Sequence, residues 1–166
     1  MTDYIHTLPS GGMTPLHEAA WNNLANAMLV MLKNRLDIEA KDEHGLTPLH
    51  YAASANADKT GALLLENDAD IEAKDKHGTT PLHYAASANA DKVMPLLLEK
   101  SANIEAKDDR GNTPLHHAAR TSADKAVSVL LENGADRNAR NNGGSTPLDV
   151  ANKVGSDKII RLFFLN

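Results

Sequence analysis

Apolar residues along this chain alternate between two patterns. One is short and built on small side chains at helical spacing, as in Leu16, Ala19 and Ala20; the other is a run of large ones, Leu63, Leu64 and Leu65. Both patterns return at a step of 33 residues. The small-residue pattern is always introduced by the same four residues, Thr14-Pro15-Leu16-His17, Thr47-Pro48-Leu49-His50, Thr80-Pro81-Leu82-His83 and Thr113-Pro114-Leu115-His116. A final copy, Thr146-Pro147-Leu148-Asp149, departs only at its last position. The large-residue pattern recurs at Leu96-Leu97-Leu98, at Val129-Leu130-Leu131 and at Leu162-Phe163-Phe164. A fixed period across nearly the whole chain predicts a stack of like units rather than a globule with one centre.

Each unit reads as two helices and a projecting turn. Thr caps the first helix through its hydroxyl, and the Pro after it fills the first helical position, where a missing N–H costs nothing. That helix is expected to stop at the equivalent residues Asn23, Asn56, Asn89, Ser122 and Gly155, types that tolerate a left-handed residue. The second helix is expected to open at Asp58, Asp91, Asp124 and Asp157, where a carboxylate meets free N–H groups and the positive end of the helix dipole. Segments such as Asp68 to Asp75 then lead through an extended stretch into tight turns at His44-Gly45, His77-Gly78 and Arg110-Gly111.

The string Asp-x-x-Gly-x-Thr-Pro-Leu-His-x-Ala-Ala, followed by a leucine-rich helix and Gly-Ala-Asp-x-Asn-Ala, resembles the ankyrin-repeat family. Residues 42–74, 75–107 and 108–140 match closely, and 12–41 and 141–166 more loosely. The resemblance implies an all-α repeat solenoid of about five stacked units, with finger-like turns along one edge and protein binding on the concave side. The expected organisation is an N-terminal tail over 1–11 and one repeat domain over 12–166.

Departures from the family pattern predict local cost. Where the family has Gly after the second helix, this chain has Arg35, Asp68 and Ser101, with Gly134 alone conforming. A non-glycine residue at positive φ costs on the order of 1 kcal/mol. Pro95 and Gly61 fall within second helices and are expected to weaken them. Neither end presents a clearly polar outer face, so the chain is expected either to belong to a longer array or to self-associate through Phe163 and Phe164.

Composition narrows the partners. Aromatics make up 4% of the chain while alanine is abundant, which predicts a Leu and Ala core. A net charge of −5 with no basic run argues against nucleic acid. No apolar run is long enough to span a membrane, so no membrane insertion is expected. The absence of cysteine excludes disulfides and thiolate metal sites and fits an intracellular, cytoplasmic or nuclear protein.

Candidate chemistry is sparse. Of eight histidines, His17, His50, His83 and His116 sit at the repeated position, where the ring is expected to bond nearby backbone. His44 and His77 are one period apart at finger tips, but no third ligand for a metal is evident. Glu39, Glu72 and Glu105 recur on equivalent sites and are expected to be solvated or paired with Lys41, Lys74 and Lys107; general acid–base catalysis needs one unique, partly buried pair. No catalytic motif is present. The sequence predicts a non-enzymatic module with no cofactor and no metal.

The expected protein-binding residues are those that vary at positions the family turns toward its concave face. From the turns they are Met13, Glu43, His44, Leu46, Lys76, His77, Thr79, Asp109, Arg110 and Asn112. From the first helices they are Glu18, Trp21, Tyr51, Ser54, Tyr84, Ser87, His117, Arg120 and Thr121. Trp, Tyr and Arg are the residue types most often found as interface hot spots. An apolar aromatic half around Trp21, Tyr51 and Tyr84 and a basic spot at Arg110 and Arg120 would suit a partner with an apolar anchor and an acidic patch. Replacing Tyr51 and Tyr84 by Ala is expected to cost roughly 2 kcal/mol of binding with the fold retained. Two other readings stand beside this one: the rings lie on one another and stabilise the stack, or the chain is a spacer or scaffold. Thr47 to Lys59 and Thr80 to Lys92 are identical, which weakens the idea that each surface residue is tuned to one partner.

Overall fold

The computed structural model describes residues 11–165, so the expected tail over 1–11 lies outside the described residues except for Gly11. Every Thr-Pro opens a helix: α1 Pro15–Trp21, α3 Pro48–Ser54, α5 Pro81–Ser87, α7 Pro114–Arg120 and α9 Pro147–Val154. Between them run the second helices α2 Ala25–Lys33, α4 Asp58–Glu66, α6 Val93–Glu99, α8 Asp124–Glu132 and α10 Asp157–Leu162. The described residues contain no strand, and the chain is an all-α solenoid.

The histidine after Thr-Pro-Leu does more than steady its own turn. Its Nδ1 accepts the Thr backbone N–H three residues earlier, closing a capping box, and the Thr hydroxyl lies 2.8 to 3.0 Å from the same nitrogen. Its Nε2 lies 2.9 to 3.0 Å from a carbonyl in the next unit, of Leu46, Thr79, Asn112 or Ser145. A carbonyl only accepts, so Nε2 carries the proton and the ring is neutral. One side chain thus caps a helix and ties two units together.

A second tie joins the units at their outer helices. Asn23, Asn56 and Asn89 sit at φ 55°, 53° and 55°, as the sequence predicts for these stops. From there the Asn23 Oδ1 accepts the N–H groups of Lys59 and Thr60, Asn56 does so from Lys92 and Val93, and Asn89 from Ala126. The cap therefore comes from the preceding unit, where the sequence suggests the helix's own Asp. That Asp accepts the Asn side-chain N–H instead, at 3.0 Å for Asn23 to Asp58.

The glutamates supply a third tie, and here expectation is corrected. Glu39, Glu72 and Glu105 accept the backbone N–H of Asp70, Asn103 and Asp136 in the next unit at 2.7 to 2.8 Å. Lys41 and Lys107 do not pair with them but donate to the carbonyls of Lys74 and Arg140. The fingers also bond in series, Lys76 N–H to His44 O and Asp109 N–H to His77 O. They approach so closely that a β-carbon on Gly111, at φ 74°, would sit 2.8 Å from the Asn142 nitrogen.

The core is Leu and Ala, as composition suggests, with Leu16, Leu49, Leu82 and Leu115 fully buried beside paired alanines. Those alanines let the first helices pack against one another more extensively than the second helices do. Of each three-residue apolar run only the middle member is buried, Leu64, Leu97, Leu130 and Phe163. Phe163 is thus inside its own chain, and at this end only Phe164 and Leu165, 72% and 70% exposed, remain as a large apolar surface for self-association together with Val154. Arg35, Asp68 and Ser101 do adopt positive φ, at 58°, 62° and 66°. Pro95 is absorbed differently from the expectation: α6 starts at Val93, so Pro95 is its third residue, where no intrahelical N–H bond is due.

Candidate functional site

The first helices and the fingers share one face, and its side chains run in ladders one unit apart. Glu18, Tyr51, Tyr84, His117 and Val150 form one ladder; Trp21, Ser54, Ser87, Arg120 and Lys153 form the next. The finger carboxylates Asp42, Asp75 and Asp108 stand nine residues before Tyr51, Tyr84 and His117. That spacing brings each pair together.

Asp42 builds the first of these pairs. Its Oδ1 accepts the N–H groups of His44 and Leu46, both at 2.8 Å, folding the finger, and its Oδ2 accepts the Tyr51 hydroxyl at 2.9 Å. Burial pushes the Asp42 carboxyl up, but these hydrogen bonds from Leu46, Tyr51 and His44 together hold it below its ordinary value. Burial, with the Asp42 bond added, pushes the Tyr51 phenol up to about 12. Asp75 repeats the arrangement with His77, Thr79 and Tyr84, and the Tyr84 phenol is raised in the same way.

Unit four exchanges the phenol for an imidazole. His117 Nε2 lies 2.9 Å from Asp108 Oδ2, while its Nδ1 faces Ser87 Oγ at 3.2 Å and Arg120 Nη2 at 3.0 Å. Burial holds the His117 ring below its ordinary pKa despite Asp108. A carboxylate, an imidazole and a hydroxyl in line invite comparison with a nucleophilic triad. The nearby backbone does not supply an oxyanion hole, because Ala88 N–H is bonded to Tyr84 O and Asn89 N–H to Ala86 O. The Arg120 guanidinium also occupies the nitrogen that would serve as base. The cluster orders the groove.

The structure divides the predicted surface residues. Glu18, Trp21, Glu43, His44, Lys76, His77, Asp109, Arg110, Arg120 and Thr121 are exposed, and Met13, Leu46, Tyr51, Ser54, Tyr84 and Ser87 are half-buried. Thr79, Asn112 and His117 are buried and belong to the scaffold, a correction to the expected set. His117 could have been found from sequence by following the Asp-to-aromatic spacing into unit four. Among the described residues no cluster of three His, Asp or Glu could hold a metal.

The rings do not lie on one another in a single file. Tyr51 meets His17 edge-on at 5.1 Å between centroids, and Tyr84 meets His50 at 5.5 Å. Trp21 is different: its indole meets Tyr51 at 6.2 Å yet stays 50% exposed. It stands over a recess of about 120 Å³ lined by Leu46, His50, Tyr51, Ser54 and Tyr84. Both Tyr hydroxyls are turned to Asp42 and Asp75, so the recess is apolar, with the Ser54 hydroxyl at its wall. Removing the Tyr rings would therefore loosen the fingers as well as the recess, contrary to the expectation that Ala at both leaves the fold untouched.

No helix of the described residues is long and apolar enough to cross a membrane. A family model described as ankyrin repeats in three copies matches residues 16–108, and one described as ankyrin repeats in many copies matches residues 96–151. No curated protein matches the chain.

Proposed function

Because the chain belongs to the ankyrin-repeat family, whose repeats generally mediate protein–protein interaction, we propose that it is a non-catalytic module that holds a partner protein on its first-helix and finger face. The observation that carries this reading is Trp21. Every other aromatic of the face is tied by a hydroxyl or packed on a histidine, whereas this indole leaves half its surface in water over an apolar recess. Covering such a surface is worth several kcal/mol to a partner, and indoles dominate interface energetics.

The test is affinity capture with the wild-type chain beside Trp21→Ala and Ser54→Arg, with helicity matched, followed by reconstitution of the captured protein with purified chain. Capture lost in both variants supports the face; equal capture by all three overturns it. A second reading, a self-associating scaffold, is favoured by the exposed Phe164 and Leu165. Sedimentation across a range of concentration separates the two: self-association abolished by Phe164→Ser supports the scaffold, and a strict monomer removes it.

A further inference from the structure

The geometry points to the chemistry of the partner segment: we infer that it is extended, with one apolar side chain in the Trp21 recess and acidic residues at a fixed distance from it. The inference rests on the reading of this face as the docking face. Two ladders carry it. The recess is centred on unit two, where Leu46, His50, Tyr51 and Ser54 line it together with Trp21 and Tyr84. On the same ladder as Trp21 and Ser54, the C-terminal units place Arg120 and then Lys153, both exposed. No acidic side chain stands on that ladder, and Asp108, the carboxylate that holds the His117 ring on which Arg120 rests, is spent on His117, Asn112 and the finger N–H groups. Arg120 reaches only the neutral His117 Nδ1, and Lys153 reaches the Ser145 hydroxyl. Among the described residues neither cation sits in a direct ion pair, although the charge of Lys153 acts on the Asp149 carboxylate one turn before it on α9. The opposite end of the groove presents Glu18 and Glu43.

The repeat sets the spacing. Neighbouring packed helices lie about 8 to 10 Å apart and an extended chain advances about 3.3 Å per residue, so each unit spans about three residues of partner. Arg120 is two units beyond the recess and Lys153 three. Carboxylates are therefore expected about six and about nine residues from the anchor. The Ser54 hydroxyl is placed to meet the partner backbone beside the anchor.

The experiment is fluorescence anisotropy of the full chain with synthetic peptides, otherwise Ser and Thr, that carry one Phe and glutamates about six and nine residues away, made in both chain orders. One order is expected to bind. Closing the gap to about three residues, or introducing Arg120→Glu or Lys153→Glu, should each weaken it about tenfold. Lysine in place of the one matching glutamate, about six residues from the anchor for Arg120→Glu and about nine for Lys153→Glu, should restore binding to that variant; Lys153→Glu guards against any disturbance of the Asp108–His117 cluster by Arg120→Glu. Affinity indifferent to the gap and to both reversals, yet lost in Trp21→Ala, overturns the spacing and leaves the docking face standing. No binding of either peptide overturns the inference as well, and the capture result then decides the docking face separately.

Discussion

The first three junctions of the stack and the last one are built from the same fold with different numbers of ties. Between units one and two, two and three, and three and four, a histidine, an asparagine and a glutamate each cross the boundary. Between units four and five only the histidine of this set remains, His116 to Ser145 O. Ser122 stands where the asparagine would be, at φ 56°, and makes no bond to the start of α10. Other contacts cross this junction: Lys158 to Asp124 at 2.5 Å, Arg137 Nη1 to Phe163 O at 3.2 Å, and in the fingers Asn142 N–H to Arg110 O and Asn141 Nδ2–H to Asn112 Oδ1, both at 2.9 Å. Exposed ion pairs contribute about 0 to 1 kcal/mol. Repeat stability is close to a sum of unit and nearest-neighbour terms, so the weakest junction sets where opening begins.

The largest test removes the histidine tie on either side of that divide. His83→Ala strands the Thr80 hydroxyl and N–H and the Asn112 carbonyl in a buried place, and leaves a cavity. About 3 kcal/mol of global stability should be lost, read by urea unfolding. His116→Ala removes the equivalent bonds from a junction that lacks the asparagine and glutamate ties. It should instead produce a separate early transition of α9 and α10, visible by hydrogen exchange. Identical single transitions for both variants would show that the junctions are not unequal.

Acid attacks histidine ties at interior junctions and at the last one alike. Burial depresses the imidazoles of His50, His83 and His116, and His83, 4.9 Å from the His117 ring, falls to about 4. Burial leads there too, with the His117 charge adding to it. A folded pKa below the unfolded value of about 6.5 means that the unfolded chain binds more protons. The stability these rings supply is therefore complete above pH about 6.5 and is lost as pH falls toward 4. At pH about 5, His83 alone should account for on the order of 2 kcal/mol. Unit five caps its first helix with Asp149, held below its ordinary pKa by the Thr146 N–H and hydroxyl, and that cap survives the window. Histidine NMR titrations beside unfolding at each pH check both statements.

The fold was legible because its signals are local. A Thr-Pro start, a residue fit for positive φ at each stop and a constant step need no knowledge of neighbours. What was not legible depends on what the next unit brings. Glu39 lies in sequence near Lys41, and only the stacking of fingers gives it the Asp70 N–H instead. Phe163 and Phe164 are adjacent and alike, and only the packing of the folded stack decides that Phe163 joins the core while Phe164 stays exposed. On the candidate face, Trp21 and Arg120 were correctly expected to be exposed. His117 was not recognised as scaffold, because the nine-residue spacing to Asp108 was not followed into unit four and its other partner, Ser87, comes from the helix of the preceding unit.

A smaller change should strengthen the weak junction. Ser122→Asn keeps a residue type that accepts positive φ and places an amide where Asn89 bonds Asp124 and Ala126 in the unit before. The N–H groups of Lys158 and Ile159 and the Asp157 carboxylate are the equivalent targets. A gain of about 1 kcal/mol in the protection of α10 is expected, with the interior unchanged. The converse, Asn89→Ser, should cost a similar amount at an interior junction. No change in α10 exchange would mean that the last junction is loose for a reason other than its missing cap.

The smallest effect concerns Pro95, and it separates two accounts of the second-helix layer. A proline in a helix interior costs about 3 kcal/mol, so if Pro95 interrupted α6, Pro95→Ala should restore that amount. The structure starts α6 two residues later than its counterparts α4 and α8, which begin at Asp58 and Asp124. Proline then occupies a position whose N–H has no acceptor within the helix, and it is exposed. Alanine would allow the first turn to begin again at Asp91 and regain one backbone bond. The expected gain is under about 1 kcal/mol, with a slight rise in helicity. A gain near the full interior cost would show that α6 is strained along its length and that the outer layer, rather than the last junction, limits the stack.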